Sequence, residues 1–160
     1  LKAKNMPIKS FQGERAKKKR VTPSKLTVSD IMTRQLVIFL PDQSIHDVMK
    51  AFIKNRISGG PVVDKDGRLV GVISEADCMK EISDSRYFNL PILDKSVAHF
   101  MTKKVDTIEA NTSVFDAAAL FSKSSRRRYP VIENNQLVGQ VSRKDIVIAA
   151  LEMKSQTWQH

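Results

Sequence analysis

The chain has 160 residues, 41% of them hydrophobic, and a formal net charge of +10, which excludes a disordered polyelectrolyte and suits one domain or two small ones with a self-sufficient core. Cys78 is the only cysteine, so no intramolecular disulfide, CxxC pair or Cys/His metal cluster can be built, and a reducing cytosol is the natural setting. No apolar run approaches the ~18 residues of a membrane span and no signal-peptide core is visible, so a cytoplasmic protein without membrane attachment is expected.

Residues 1–25 hold most of the charge. Lys2, Lys4, Lys9, Arg15, Lys17, Lys18, Lys19, Arg20 and Lys25 stand there against Glu14 alone. With no sustained periodicity, this stretch reads as a flexible basic tail. It offers cations for nucleic-acid phosphates, but Phe11 is its only aromatic for base stacking. A solvated arm is the simpler reading, with nucleic-acid binding as the alternative.

From there on the chain repeats itself. Met32-Thr33 returns as Met101-Thr102, Ser44 as Ser113, Asp47 as Asp116, and Pro61-Val62-Val63 as Pro130-Val131-Ile132, each 69 residues later. Beyond the next turn, Gly71, Ser74 and Asp77 return as Gly139, Ser142 and Asp145, now 68 residues later. The missing residue falls where Asp64-Lys65-Asp66-Gly67-Arg68 becomes Glu133-Asn134-Asn135-Gln136, at a hairpin tip where a deletion is best tolerated. A repeat of this length marks a duplicated structural unit.

Each copy opens with a short apolar strand, 35–40 or 105–108. A capped helix follows. Ile45, Val48, Met49, Phe52 and Ile53 fall at helical spacing in copy one, and Val114, Ala117, Ala118 and Phe121 in copy two. A hairpin comes next, Pro61-Val62-Val63 turning to 69–73 and 130–132 turning to 137–141. A second helix closes each copy, about 75–82 and 143–153. The expected organisation is a basic tail (1–25), repeat one (26–82), a connector (83–96) in which Pro91 breaks any continuous helix, repeat two (97–153) and a tail (154–160). The fold class is α/β (α+β): two tandem βαββα units, each a three-stranded sheet with helices on one side, packed with approximate two-fold symmetry.

The strand-to-helix junctions carry the chemistry: Gly71-Val72-Ile73-Ser74-Glu75-Ala76-Asp77 and Gly139-Gln140-Val141-Ser142-Arg143-Lys144-Asp145. A helix N-terminus attracts anions, a serine hydroxyl can bond phosphate, and an aspartate can accept from both hydroxyls of a ribose. Ser-x-x-Asp is equally a plain helix cap. Recurrence in matched context favours binding, although duplication would copy a cap just as faithfully.

In these features the chain resembles a tandem pair of CBS domains, the regulatory modules named after cystathionine β-synthase. Asp30-Ile31-Met32-Thr33 and His99-Phe100-Met101-Thr102, the Pro-Val-Val/Ile strands, the glycine turns and the Ser-x-x-Asp ends carry the resemblance over residues 27–151. It implies a Bateman-type regulatory module that binds an adenosine ligand (AMP, ADP, ATP, NAD or S-adenosylmethionine) in clefts between the repeats and pairs as a homodimer, with no required cofactor. Carried over, one cleft would use Ser74, Asp77, Gly59 and Gly60 with Arg127 and Arg128. The other would use Ser142 and Asp145 with Ser58 and Gly59. Backbone near Ile38 and Thr107 would frame the adenine.

The copies differ where Ile57-Ser58-Gly59-Gly60-Pro61 faces Arg126-Arg127-Arg128-Tyr129-Pro130 in the alignment. Arginine suits forked phosphate contacts, and glycine leaves room for a flat ring, so the cleft with Asp77 is expected to be the better nucleotide site. A solvated corner is the alternative for the arginines. The run 146–151 is apolar all round, which predicts a helix buried on several sides, within the chain or in a homodimer. No nucleophile, base or oxyanion donor accompanies Asp77 or Asp145, so no enzyme is expected.

Overall fold

The computed structural model of the chain describes residues 26–87 and 95–157. The basic tail, Pro91 and the extreme C-terminus lie outside these. In chain order the elements are α1 (Val28–Ile31), α2 (Ile45–Asn55), β1 (Gly59–Val63), β2 (Leu69–Ser74), α3 (Glu75–Tyr87), α4 (Val97–Phe100), β3 (Ile108–Glu109), α5 (Val114–Lys123), β4 (Arg128–Glu133), β5 (Gln136–Ser142) and α6 (Arg143–Thr157).

They form two compact units, and the division does not follow the sequence repeat. Among the described residues, unit one lies within Val37–Val105. Unit two joins described residues up to Leu36 with those from Asp106 onward. Both chain breaks, Leu36/Val37 and Val105/Asp106, fall at equivalent repeat positions, 69 residues apart. Unit one therefore contains α4, which belongs to repeat two by sequence, and unit two contains α1 from repeat one.

In unit one, β1 and β2 form an antiparallel hairpin with Gly59 opposite Ser74 and Gly60 opposite Ile73. Its tip is a three-residue loop ending in Gly67 at φ 81°, a left-handed position that glycine fills without a Cβ clash. Asp64 Oδ1 accepts from the Asp66 and Arg68 amides, 2.9 and 3.0 Å away. The hairpin of unit two closes in two residues, Asn134 and Asn135, at φ 50° and 62°. That is the left-handed pair a tight hairpin requires, so the deletion exchanges one good turn for another.

The strand expected at 35–40 is not formed. Phe39 alone makes a parallel bridge to Val62, donating to Pro61 O and accepting from Val63 N, both at 2.9 Å. The three-stranded sheet is therefore confined to unit two, where β3 runs parallel to β4 over two residues.

Helix α2 starts on Ser44, whose Oγ accepts from Asp47 N at 3.1 Å, and α5 starts the same way on Ser113 with Asp116 N at 3.0 Å. Ile45, Val48 and Phe52 are buried along α2. Ile53, expected beside them, is 80% exposed. At 3.6 residues per turn it lies about 90° round the helix from that stripe.

Each core centres on an aromatic pair. Phe39 meets Phe52 edge-on at 5.6 Å between centroids in unit one, and Phe121 meets Tyr129 at 4.9 Å in unit two. Phe52 and Phe121 are repeat equivalents, but their partners are not: Phe39 corresponds to Ile108, and Gly60 to Tyr129. Unit one places its second ring on the segment before α2, whereas unit two places it on a strand of the hairpin. The same volume is filled from opposite sides.

Helix α6 is buried along one side only. Ala149 is buried and Ile146 half-buried, but Val147, Ile148 and Leu151 are 57%, 45% and 64% exposed. Its second apolar face is uncovered within the unit. Among the described residues, no helix is long and apolar enough to cross a membrane.

Candidate functional site

The two Ser-x-x-Asp junctions have one geometry. Ser74 is the last residue of β2, and Asp77 stands in the first turn of α3. Asp77 Oδ2 accepts from Ser74 N at 2.8 Å and from Ser74 Oγ at 2.9 Å, while Ser74 Oγ accepts from Asp77 N at 3.4 Å. In unit two, Asp145 Oδ2 accepts from Ser142 N at 2.8 Å and Ser142 Oγ at 2.9 Å, and Asp145 N donates back at 3.2 Å. Both are reciprocal capping boxes, so the cap is a fact of the structure.

This limits what the junction can offer a ligand. A serine hydroxyl has one proton, and here it goes to the aspartate. Phosphate contact by Ser74 or Ser142 would have to displace that bond. The next amides are also taken: Glu75 N donates to Ser58 O at 2.9 Å, and Arg143 N to Arg127 O at 3.1 Å. What remains is the other carboxylate oxygen, Oδ1, which makes no hydrogen bond to a described residue in either aspartate. Asp77 is 5% exposed, whereas Asp145 is only half-buried and the more accessible.

The structure brings the predicted residues into two sets, one at the same corner of each unit. In unit one, Ser58 and Gly59 lie beside Ser74 and Glu75, and Ile38, 41% exposed, precedes buried Phe39. In unit two, Arg128 pairs with Ser142 across the hairpin, Arg127 holds Arg143 through its carbonyl, and exposed Thr107 precedes buried Ile108.

The glycines do not keep room for a flat ring, contrary to the expectation from sequence. A Cβ on Gly60 would come within 2.7 Å of Phe39 Cε2 and 2.9 Å of Val37 O, and one on Gly59 within 3.0 Å of Ile73 O. The space beside Gly60 is filled by the protein's own Phe39 ring. It is not a vacancy kept for a flat ligand.

The three arginines divide. Arg126 binds Asp106 Oδ2 through Nε at 2.7 Å and Nη2 at 2.6 Å. Arg127 and Arg128 are exposed and make no side-chain bond to a described residue. Asp106, 20 positions from Arg126, gave no local signal of this pairing.

Sequence reasoning also missed the buried polar stripe of α3. Asp77, Glu81 and Ser85, the buried polar side chains among the described residues, lie at 5%, 1% and 4% exposure on one stripe of this helix. Glu81 Oε1 accepts from Ser85 Oγ at 3.4 Å, and Glu81 Oε2 is buried with no partner. The equivalents in α6 are Asp145, Ala149 and Met153, so misalignment with its own repeat was the available signal.

The family model described as CBS domain matches residues 28–84 and 97–152. Protein MJ1426 of Methanocaldococcus jannaschii is 32% identical over 155 residues, covering 79% of this chain and 92% of its own length. The crystal structure of CBSX2, an Arabidopsis thaliana CBS-pair protein, in complex with AMP is 30% identical at a TM-score of 0.69, covering 81% of this chain and 98% of that one. The CBS domain pair of protein MJ0100, solved in complex with 5-methylthioadenosine and S-adenosyl-L-methionine, is 28% identical at a TM-score of 0.60, with 79% and 96% covered.

Proposed function

This chain belongs to the CBS-domain family, and we propose that it is a regulatory module that senses an adenosine-containing nucleotide and catalyses no reaction. The observation that carries the reading is the twin junction: each aspartate uses one oxygen to cap its helix and leaves Oδ1 for ribose hydroxyls. The AMP and S-adenosyl-L-methionine complexes of similar CBS pairs support the ligand class.

In this reading Asp77 and Asp145 hold ribose. Backbone at Ile38 and Thr107 frames adenine, with Ser58, Gly59 and Gly60 alongside. Arg127 and Arg128 meet phosphate, the chemistry their free guanidinium forks suit. Ser74 and Ser142 act as positioning residues, since their protons orient the carboxylates. A homodimer forms through the uncovered face of α6, where Val147, Ile148 and Leu151 are exposed. Ligand changes output by favouring one arrangement of the module over another, which requires different affinities for the two.

The test is thermal stability with AMP, ADP, ATP, NAD, S-adenosylmethionine and cyclic dinucleotides. A ligand at 100 times its Kd adds about 2.7 kcal/mol. Combining Asp77→Ala with Asp145→Ala should abolish the response to any ribose-containing hit, and an undiminished response would overturn the assignment.

A further inference from the structure

Among the described residues, unit one lies within one stretch of the chain, but unit two is completed by a strap, residues 27–33, that arrives from the far side of unit one in the chain. Every long-range backbone bond of the strap is made to unit two. Val28 N donates to Thr112 O at 2.8 Å and Ser29 N to Ala110 O at 2.9 Å. Thr33 and Gln140 exchange both bonds, at 2.8 and 2.9 Å, along the outer side of β5.

The strap is also anchored by apolar burial. Val28 is fully buried and Met32 9% exposed in the core of unit two. Gly139 is shaped to the strap, since a Cβ there would come within 2.7 Å of Met32 Sδ and 2.8 Å of Thr33 O. By contrast, the link to unit one is thin. Arg34 and Gln35 are exposed, and the backbone of residues 35–38 makes no hydrogen bond to another described residue. Val37 already packs against the core of unit one, so the link is residues 34–36, which span up to about 10 Å when extended.

We propose that residues 27–33 are an exchangeable strap, and that a second copy of this chain is its alternative acceptor: two chains pair by seating each strap in the other's unit two. The acceptor surface is identical in either case, so each chain keeps every strap contact, and the exposed link supplies the hinge that such exchange needs. Withdrawing Val28 and Met32 from a packed core makes the swap slow once folded. This pairing is separate from the α6-face dimer, which leaves every strap at home.

The test uses the full chain with paired cysteines. Thr33 and Gln140 exchange both backbone bonds, a pairing that sets Cα atoms ~5.5 Å apart, within disulfide range. Val72 and Thr102 share that geometry, at 3.0 and 2.9 Å, inside unit one. The dimer fraction of Thr33→Cys/Gln140→Cys, oxidised and run denatured without reductant, should give chains linked in pairs. Val72→Cys/Thr102→Cys should give only intrachain bonds. Intrachain bonds in both, interchain bonds in both, or a protein that stays monomeric at every concentration would overturn the proposal.

A second measurement avoids the cysteines. Tagged and untagged chains that both carry Val147→Asp and Leu151→Asp, which removes the α6-face contact, should form mixed dimers only after unfolding and refolding together. Mixed dimers within minutes of native mixing would sink the strap exchange while leaving the α6-face dimer and nucleotide sensing intact.

Discussion

Asp77 Oδ2 lies 2.8 Å from Ser74 N and 2.9 Å from Ser74 Oγ, so the residue proposed to hold ribose is also the clamp on its own helix. Loss of the carboxylate therefore acts on stability and binding together. Asp77→Ala should lower unligated stability by about 1 kcal/mol, the scale of a lost N-cap. Ser74→Ala should have a similar unligated effect but should retain a ligand-induced shift in Tm. Equal loss of ligand response in both variants would mean that the cap, and not Oδ1, is what ligand requires.

Arg127→Ala with Arg128→Ala should leave unligated stability within about 0.5 kcal/mol, since both side chains are exposed. Calorimetric titration should show affinity falling more for ATP than for adenosine. An equal fall for both would remove the phosphate role.

Glu81→Leu should stabilise the protein by roughly 1–3 kcal/mol, the range for relieving a buried polar group with no partner. The twin position, Ala149, shows that this face accepts an apolar residue. Chemical denaturation reads the change, and a loss of stability would show that Glu81 has a structural role.

Burial pushes the Cys78 thiol up from its ordinary range, and the negative charges of Asp77 and then Glu75 push it further. The neutral thiol is the form the fold accommodates, so its contribution to stability is complete below ~8.5, the unfolded value, and is lost as pH rises through the higher folded value. Cys78→Ala should flatten that alkaline decline in a pH series of unfolding midpoints. An unchanged slope would assign the decline to other groups.

Val147→Asp with Leu151→Asp should lower the dimer fraction in light scattering to the strap-exchanged pairs alone, without lowering Tm by more than a few degrees, because neither side chain is packed within unit two. An unchanged dimer fraction would move the α6-face contact elsewhere.

Local features were legible in the sequence because they are written in neighbouring residues. The hairpins, the caps on Ser44 and Ser113 and the helices after Ser74 and Ser142 stand where spacing and turn chemistry put them. What escaped depends on distant partners. Helical spacing put Ile53 inward, but its angle sets it on the flank. The run 146–151 is apolar all round, yet periodicity cannot say whether its second apolar face is covered by the same chain or by another. The need for glycine at position 60 is invisible locally because its neighbour in space, Phe39, is 21 positions away. The homes of α1 and α4 were invisible for the same reason: the Met-Thr repeat marks the start of each copy but not which hairpin receives it. At the candidate site, each Ser-x-x-Asp cap was readable from the repeat, whereas the direction of each serine proton required coordinates.

The matching break points at Leu36/Val37 and Val105/Asp106 also bear on ancestry. A solitary ancestral half, built by this plan, would have been incomplete until a sister molecule lent it the missing piece. Duplication and fusion put both sisters on one polypeptide and released them from enforced identity. Differences such as Glu81 against Ala149, or Arg127-Arg128 against Ser58-Gly59, are open to such a fused protein and closed to a true dimer of identical halves, in which every change must occur twice.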